Sequence, residues 1–211
     1  KTKLIRLMAI CYELDALVSL ADATHKHGLV MPIIETGPTA ISASELVHPL
    51  LEHPVGNPLA LDQAGRVLFL TGPNMAGKTT YLRAILTALY FAHLGMGVPA
   101  KAFSFVPVQR LLTSISLSDN LADGISFFRA EALRVKAVAQ ALAEGSRTIA
   151  IMDEPFKGTN VKDALDASFE VIRQLAAKQD SLFVISSHLI ELEESLNAVA
   201  NIDYWYFEAQ E

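Results

Sequence analysis

Apolar residues recur at intervals of three and four at Leu4, Leu7, Met8, Cys11, Leu14, Leu17, Val18 and Ala21, which predicts an amphipathic helix over about residues 1–23. His25, His27 and Gly28 end it. Residues 29–35 read as an extended stretch broken by Pro32, and a Gly37-Pro38 turn follows. Residues 48–58, rich in proline and glycine, read as loops ahead of the compact part. From Arg66 the pattern alternates: a short apolar strand over 67–71, a nearly all-apolar helix over 78–94, and a Gly95-Met96-Gly97 stop. Two strands are predicted over 102–106 and 110–115, then a helix over 126–143 with Phe128, Val135, Val138 and Leu142 on one face. A strand over 148–152, a helix over 162–177 carrying Leu165, Phe169, Ile172 and Leu175, and a strand over 181–186 complete the series. Repeated strand–helix units predict an α/β fold with a mainly parallel sheet covered by helices on both faces.

Composition narrows the function classes. With 51% hydrophobic and 19% charged residues, the 211-residue chain is a globular protein rather than a disordered or collagen-like one. A net charge of −6 argues against gripping a nucleic-acid backbone unaided, since that takes clustered lysine and arginine. The single cysteine, Cys11, allows no internal disulfide, so a cytoplasmic location is expected. Apolar runs are broken by charge before the ~20 residues of a membrane span, so no membrane partner is expected. A chain opening on Lys1 rather than Met suggests a longer parent.

The strongest chemical signal is Gly72-Pro73-Asn74-Met75-Ala76-Gly77-Lys78-Thr79, which matches G-x-x-x-x-G-K-[ST] between a predicted strand and a predicted helix. Such a loop turns backbone N–H groups toward phosphate oxygens, and the helix behind it presents its positive end. Lys78 then reaches the β- and γ-phosphates and the Thr79 hydroxyl ligates Mg²⁺. A chance match to the bare pattern arises in about one chain in a hundred of this length, before the strand–helix context is counted. Asp153 and Glu154 end the strand over 148–152, where ligands of open α/β sheets sit. That placement suits Asp153 to Mg²⁺ and Glu154 to the attacking water, although an acidic pair can also simply cap a loop. Ser186-Ser187-His188 ends the next strand and makes His188 a candidate γ-phosphate sensor. No G-x-S-x-G elbow exists for a hydrolase built on Ser187, His188 and Asp153. The remaining histidines, His25, His27, His48, His53 and His93, lack metal-ligand spacing and read as structural or solvent-exposed. Ser126 reads as the N-cap of the helix over 126–143, and Asn160 as the N-cap of the next, with Asp163 as its acidic third residue.

Taken in order, these segments resemble the MutS family of DNA mismatch-repair ATPases, which have ABC-type ATPase domains. Residues 71–83, TGPNMAGKTTYLR, are similar to the family's TGPNMGGKSTYMR loop, with Ala76 and Thr79 as departures. Val98-Pro99-Ala100 and residues 107–110 resemble its VPA and GPIDRI stretches. Residues 121–128, LADGISFF, resemble the LASGRSTF signature, and Gly158-Thr159-Asn160 with Asp163 the GTSTYD loop. The likeness runs over about residues 14–196. It implies an ABC-type P-loop ATPase domain over 29–211, preceded by the end of a helical domain over 1–28. It further implies ATP and Mg²⁺ as ligands, with Gly72, Pro73, Asn74, Met75, Ala76, Gly77, Lys78, Thr79 and Thr80 around the nucleotide. Thr79 and Asp153 are then the metal ligands, and Glu154, His188 and Lys78 the catalytic groups. Ser126 contacts the nucleotide of a second copy in trans, making the site that of a homodimer, while other domains of the parent hold DNA.

Two departures stand out. Asp153-Glu154 is followed by Pro155-Phe156-Lys157 where the family usually carries Ile-Gly-Arg, a transporter-like form. Val55, in the 52–57 segment similar to the family's adenine-stacking region, replaces an aromatic residue. A divergent MutS-like member is therefore expected. An ABC-type ATPase of another system and a nucleotide-dependent interaction module with little turnover are the alternatives, the first opposed by the absence of an LSGGQ sequence.

Overall fold

A strand buried on both sides must be apolar at nearly every position, and Val67–Thr71 (β4), Thr148–Asp153 (β7) and Leu182–Ser186 (β8) meet that condition. In the computed structural model, which describes residues 2–115 and 127–208, each of their positions is buried. With Arg110–Ser114 (β6) and Ile202–Tyr206 (β9) they form a five-stranded sheet in the order β6-β7-β8-β4-β9. Every neighbouring pair in it is parallel. Parallel neighbours need crossovers, which Lys78–His93 (α2), Phe127–Ala143 (α3), Val161–Ala176 (α4) and the short Ile190–Leu196 (α5) supply.

Side chains alternate across each strand, and that alternation splits the interior into two cores. Leu68, Leu70, Ile149, Ile151, Leu182 and Val184 face α2. Val67, Phe69, Ala150, Met152, Phe183 and Ile185 face the opposite way, onto Val138 of α3, Ile172 and Leu175 of α4 and Leu192 of α5. The mainly parallel sheet flanked by helices is thus present.

A second, four-stranded sheet is the main addition to what the pattern predicts. Ile33–Ile34 (β1), Ala102–Phe105 (β5), Ile41–Leu46 (β2) and Asn57–Leu61 (β3) are joined in that order, with β2 antiparallel to both neighbours. Its buried Ile41, Leu46, Leu59, Leu61, Phe103 and Phe105 share one core with α2. Residues 57 and 58 therefore begin a strand rather than ending a loop. β2 hides well in sequence: Ile-Ser-Ala-Ser-Glu-Leu alternates small and polar residues, and its register with β3 shifts between Ala43 and Leu46.

The amino-terminal helix, Thr2–Lys26 (α1), forms as predicted, but Ile5, Ile10 and Tyr12 interrupt the predicted stripe, so apolar residues lie on several sides. None of its residues is buried. It joins the rest through Thr24, whose hydroxyl accepts from the Gly97 N–H at 3.0 Å and whose carbonyl accepts from Leu29 at 2.9 Å. At α4 the predicted cap is formed: the Asn160 Oδ1 accepts from the Asp163 N–H at 3.0 Å. Among the described residues no helix is long and apolar enough to cross a membrane.

Candidate active site

Buried parallel strands deliver their carboxyl ends to one edge of the sheet, and the predicted chemistry gathers there. The loop after β4 leads into α2 with Gly77 as N-cap at φ 95°. Gly72 takes φ 135°, and a Cβ there would strike the Phe207 carbonyl oxygen, so this position needs glycine for both conformation and space. Met75 holds φ 66° at the tip of the loop, fully exposed.

Lys78 is 6% exposed. Its Nζ donates to the carbonyls of Gly72 at 2.7 Å and Pro73 at 2.9 Å, so the ammonium is folded back across the mouth of its own loop. A buried cation satisfied by backbone carbonyls is poised for exchange with stronger anionic acceptors. The next residue reaches the neighbouring strand: the Thr79 hydroxyl donates to Asp153 Oδ2 at 2.8 Å. Asp153, 8% exposed, also accepts a short hydrogen bond from the Ser186 hydroxyl. One carboxylate thus joins β7 to the phosphate-type loop on one side and to β8 on the other.

Glu154 sits differently. Its backbone takes φ 49°, in the left-handed region that few non-glycine residues occupy, and its N–H donates to the Ser186 carbonyl at 3.0 Å. Oε1 accepts from His188 Nδ1 at 2.9 Å and Oε2 pairs with Lys157 Nζ at 2.8 Å. Burial pushes the Glu154 carboxyl up, and the hydrogen bonds from Lys157 and His188 outweigh it, leaving its pKa below the ordinary carboxylate range. Lys157 is correspondingly raised by its hydrogen bond to Glu154. Lys78, Thr79, Asp153, Glu154 and His188 are therefore brought together. Ser126 lies outside the described residues, as do residues 121–125 of the signature-like segment. Ser187 takes a local role, its Oγ accepting from the Leu189 N–H at 3.1 Å.

Beside the loop opens a cavity of about 1070 Å³. Met75, Ala76, Gly77 and Thr80 line it on one side, His48, His53 and Val55 on another, and Tyr81, Trp205 and Phe207 form an aromatic wall. Tyr81 stacks on Trp205 with centroids 6.0 Å apart and an interplanar angle of 22°, and Phe207 lies 5.4 Å from it. The Tyr81 hydroxyl donates to the Pro58 carbonyl at 2.5 Å, and burial pushes its pKa up. His48 and His53, read from sequence as structural or solvent-exposed, thus face this cavity, whereas His93 is structural: Nδ1 contacts the Leu89 carbonyl and Nε2 accepts from the Val108 N–H. Sequence reasoning missed the aromatic wall, although the Tyr204-Trp205-Tyr206-Phe207 run was a visible signal. It also missed Ser186 as the Asp153 partner and Lys157 as the Glu154 partner.

An open parallel sheet, a glycine-containing loop at a helix amino terminus, and an acidic pair at the end of a central strand are the marks of a Rossmann-like or P-loop-like α/β fold. The family model for MutS domain V matches residues 68–211. The chain belongs to the MutS family, whose domain V is its ATPase domain.

Proposed function

We propose that this chain binds Mg²⁺-ATP at the 72–79 loop and hydrolyses it as the ABC-type ATPase domain of a divergent MutS-like mismatch-repair protein. The observation that carries this reading is the hydrogen-bonded run from Thr79 to Asp153 to Ser186, with Glu154 and His188 paired beside it. Loop N–H groups and the amino terminus of α2 receive the phosphates, and Lys78 exchanges its two carbonyl acceptors for β- and γ-phosphate oxygens. Thr79 and Asp153 are the residues that would hold Mg²⁺, which when bound neutralises charge on the transferred phosphoryl group.

Glu154 is ionised at neutral pH, as a base that takes a proton from attacking water must be. In the present arrangement each of its oxygens accepts from one partner, so loosening of His188 leaves it a stronger acceptor for water. A γ-phosphate offers His188 an alternative acceptor, which links nucleotide arrival to release of the base. The cavity beside the loop is suited to the nucleoside, with Val55 contributing little stacking surface.

Residues 1–28 serve in this reading as the end of a preceding helical domain. Ser126 completes the site of a second copy in trans, so ATP holds two domains together, hydrolysis loosens them, and other domains of the parent hold DNA. The test is ATPase rate against protein concentration, with Ser126→Ala as control. Specific activity that rises with concentration and collapses in the variant supports the composite site. A rate independent of concentration, unaffected by the substitution, would refute it.

A further inference from the structure

The loop that carries Glu154 is strained. Glu154 at φ 49° and Phe156 at φ 65° both occupy the left-handed region, a conformation that persists only where surrounding contacts over-determine it. Three contacts do so. Ser186 of β8 accepts the Glu154 N–H. The Ser168 hydroxyl of α4 donates to the Pro155 carbonyl at 3.3 Å. The third comes from α3: Glu131 Oε2 accepts from the Gly158 N–H at 3.3 Å.

Glu131 is an unusual residue to find there. It is 5% exposed, and burial pushes its carboxyl up against the opposing pull of the Gly158 and Lys157 backbone N–H groups. A carboxylate so buried is costly unless its acceptor capacity is needed. Here it is needed, because it receives the end of the strained loop, immediately after the residue whose ammonium grips Glu154 Oε2.

We propose that Glu131 is a positioning residue for the hydrolysis step: by holding the backbone at 157–158 it sets the reach of Lys157 and so the placement of Glu154, tying α3 to the general base. This rests on the ATPase reading above. It goes beyond that reading in giving α3 a mechanical part within its own subunit, through a side chain that holds the backbone at 157–158 and acts on Glu154 only through Lys157.

Two variants of the whole chain separate position from packing. Glu131→Met keeps the volume and removes the acceptor, whereas Glu131→Gln keeps an acceptor oxygen. We expect Glu131→Met to lower kcat about tenfold or more with nucleotide Kd within about twofold of the parent, and Glu131→Gln to restore most of the rate. Amide exchange read at Gly158 should be slow in the parent and in Glu131→Gln and fast in Glu131→Met, a readout that needs no turnover. Fast exchange at Gly158 in the parent, or a Glu131→Met chain with parental kcat, overturns the role of Glu131. A parent chain that binds nucleotide and hydrolyses none sinks the ATPase reading instead, and the two failures are distinct.

Discussion

The two halves of the candidate site are built by different means. On the phosphate side, Lys78 and Asp153 are nearly buried, and the contacts tie the first turn of α2 to its own loop and to the end of β7, and β7 to β8. On the cavity side, Val55 is 59% exposed, Met75 projects freely, and the wall is aromatic packing contributed by α2, β9 and the residue after it. The first arrangement is set by where the sheet's carboxyl edge and the start of α2 meet, with each side chain held by hydrogen bonds. The second depends on side chains that can exchange without moving the backbone. Recognition of phosphate should therefore be intolerant of substitution, and recognition of the base adjustable.

The largest expected effect tests the intolerant half. Glu154→Gln should reduce kcat by about 10²–10⁴-fold while leaving nucleotide affinity near the parental value, measured by steady-state turnover beside equilibrium binding. A modest loss of rate would show that the phosphate side holds nucleotide without using this carboxylate. Next comes Gly72→Ala, which combines a φ of 135° with collision against the Phe207 carbonyl. It should cost on the order of 3 kcal/mol of stability in denaturant unfolding and weaken nucleotide binding as well.

A smaller effect is predicted for Lys157→Met. The folded pKa of Glu154 is depressed, so the ionised group favours the fold above the ordinary carboxylate range, and that contribution is lost as pH falls through the folded value. Removing the Lys157 charge raises the folded value, so the acid limb of kcat against pH should move upward. An unmoved limb would mean that His188 alone sets the titration. The smallest effect belongs to the adjustable half: Val55→Phe should tighten adenine-nucleotide binding about fivefold by adding a stacking face, with kcat little changed. A loss of affinity there would mean that the cavity takes the nucleoside in another way, and the contrast between the halves would fail.

The legibility of the molecule follows the same division. The phosphate-type loop, the Asp153-Glu154 pair and His188 could be read because each sits at a junction between an apolar run and a turn. That grammar is local. The Asn160 cap was legible for the same reason, since a cap and its third residue lie within one turn. β2 and β3 were not, because Ile41–Leu46 carries polar and small residues whose burial depends on pairing with β5, some sixty positions away. β9 escaped notice although it lies beside β4 as a sheet edge, because none of its residues is fully buried and Asp203 interrupts its apolar run.

Glu131 shows the same limit at the level of a single side chain. Within its helix it reads as an ordinary surface acid, and only the approach of Gly158 makes it a buried acceptor. Sequence by itself determined the class of fold, the succession along the chain of β4, β6, β7 and β8 with the helices between them, and the identity of the groups at their ends, because those depend on hydrophobic periodicity and short motifs. Tertiary structure alone decided which groups meet: Ser186 with Asp153, Lys157 and His188 with Glu154, Glu131 with the loop at Gly158. The physical reason is that a hydrogen bond requires atoms within about 3 Å, and only the packing of strands and helices sets that distance between residues far apart in the chain.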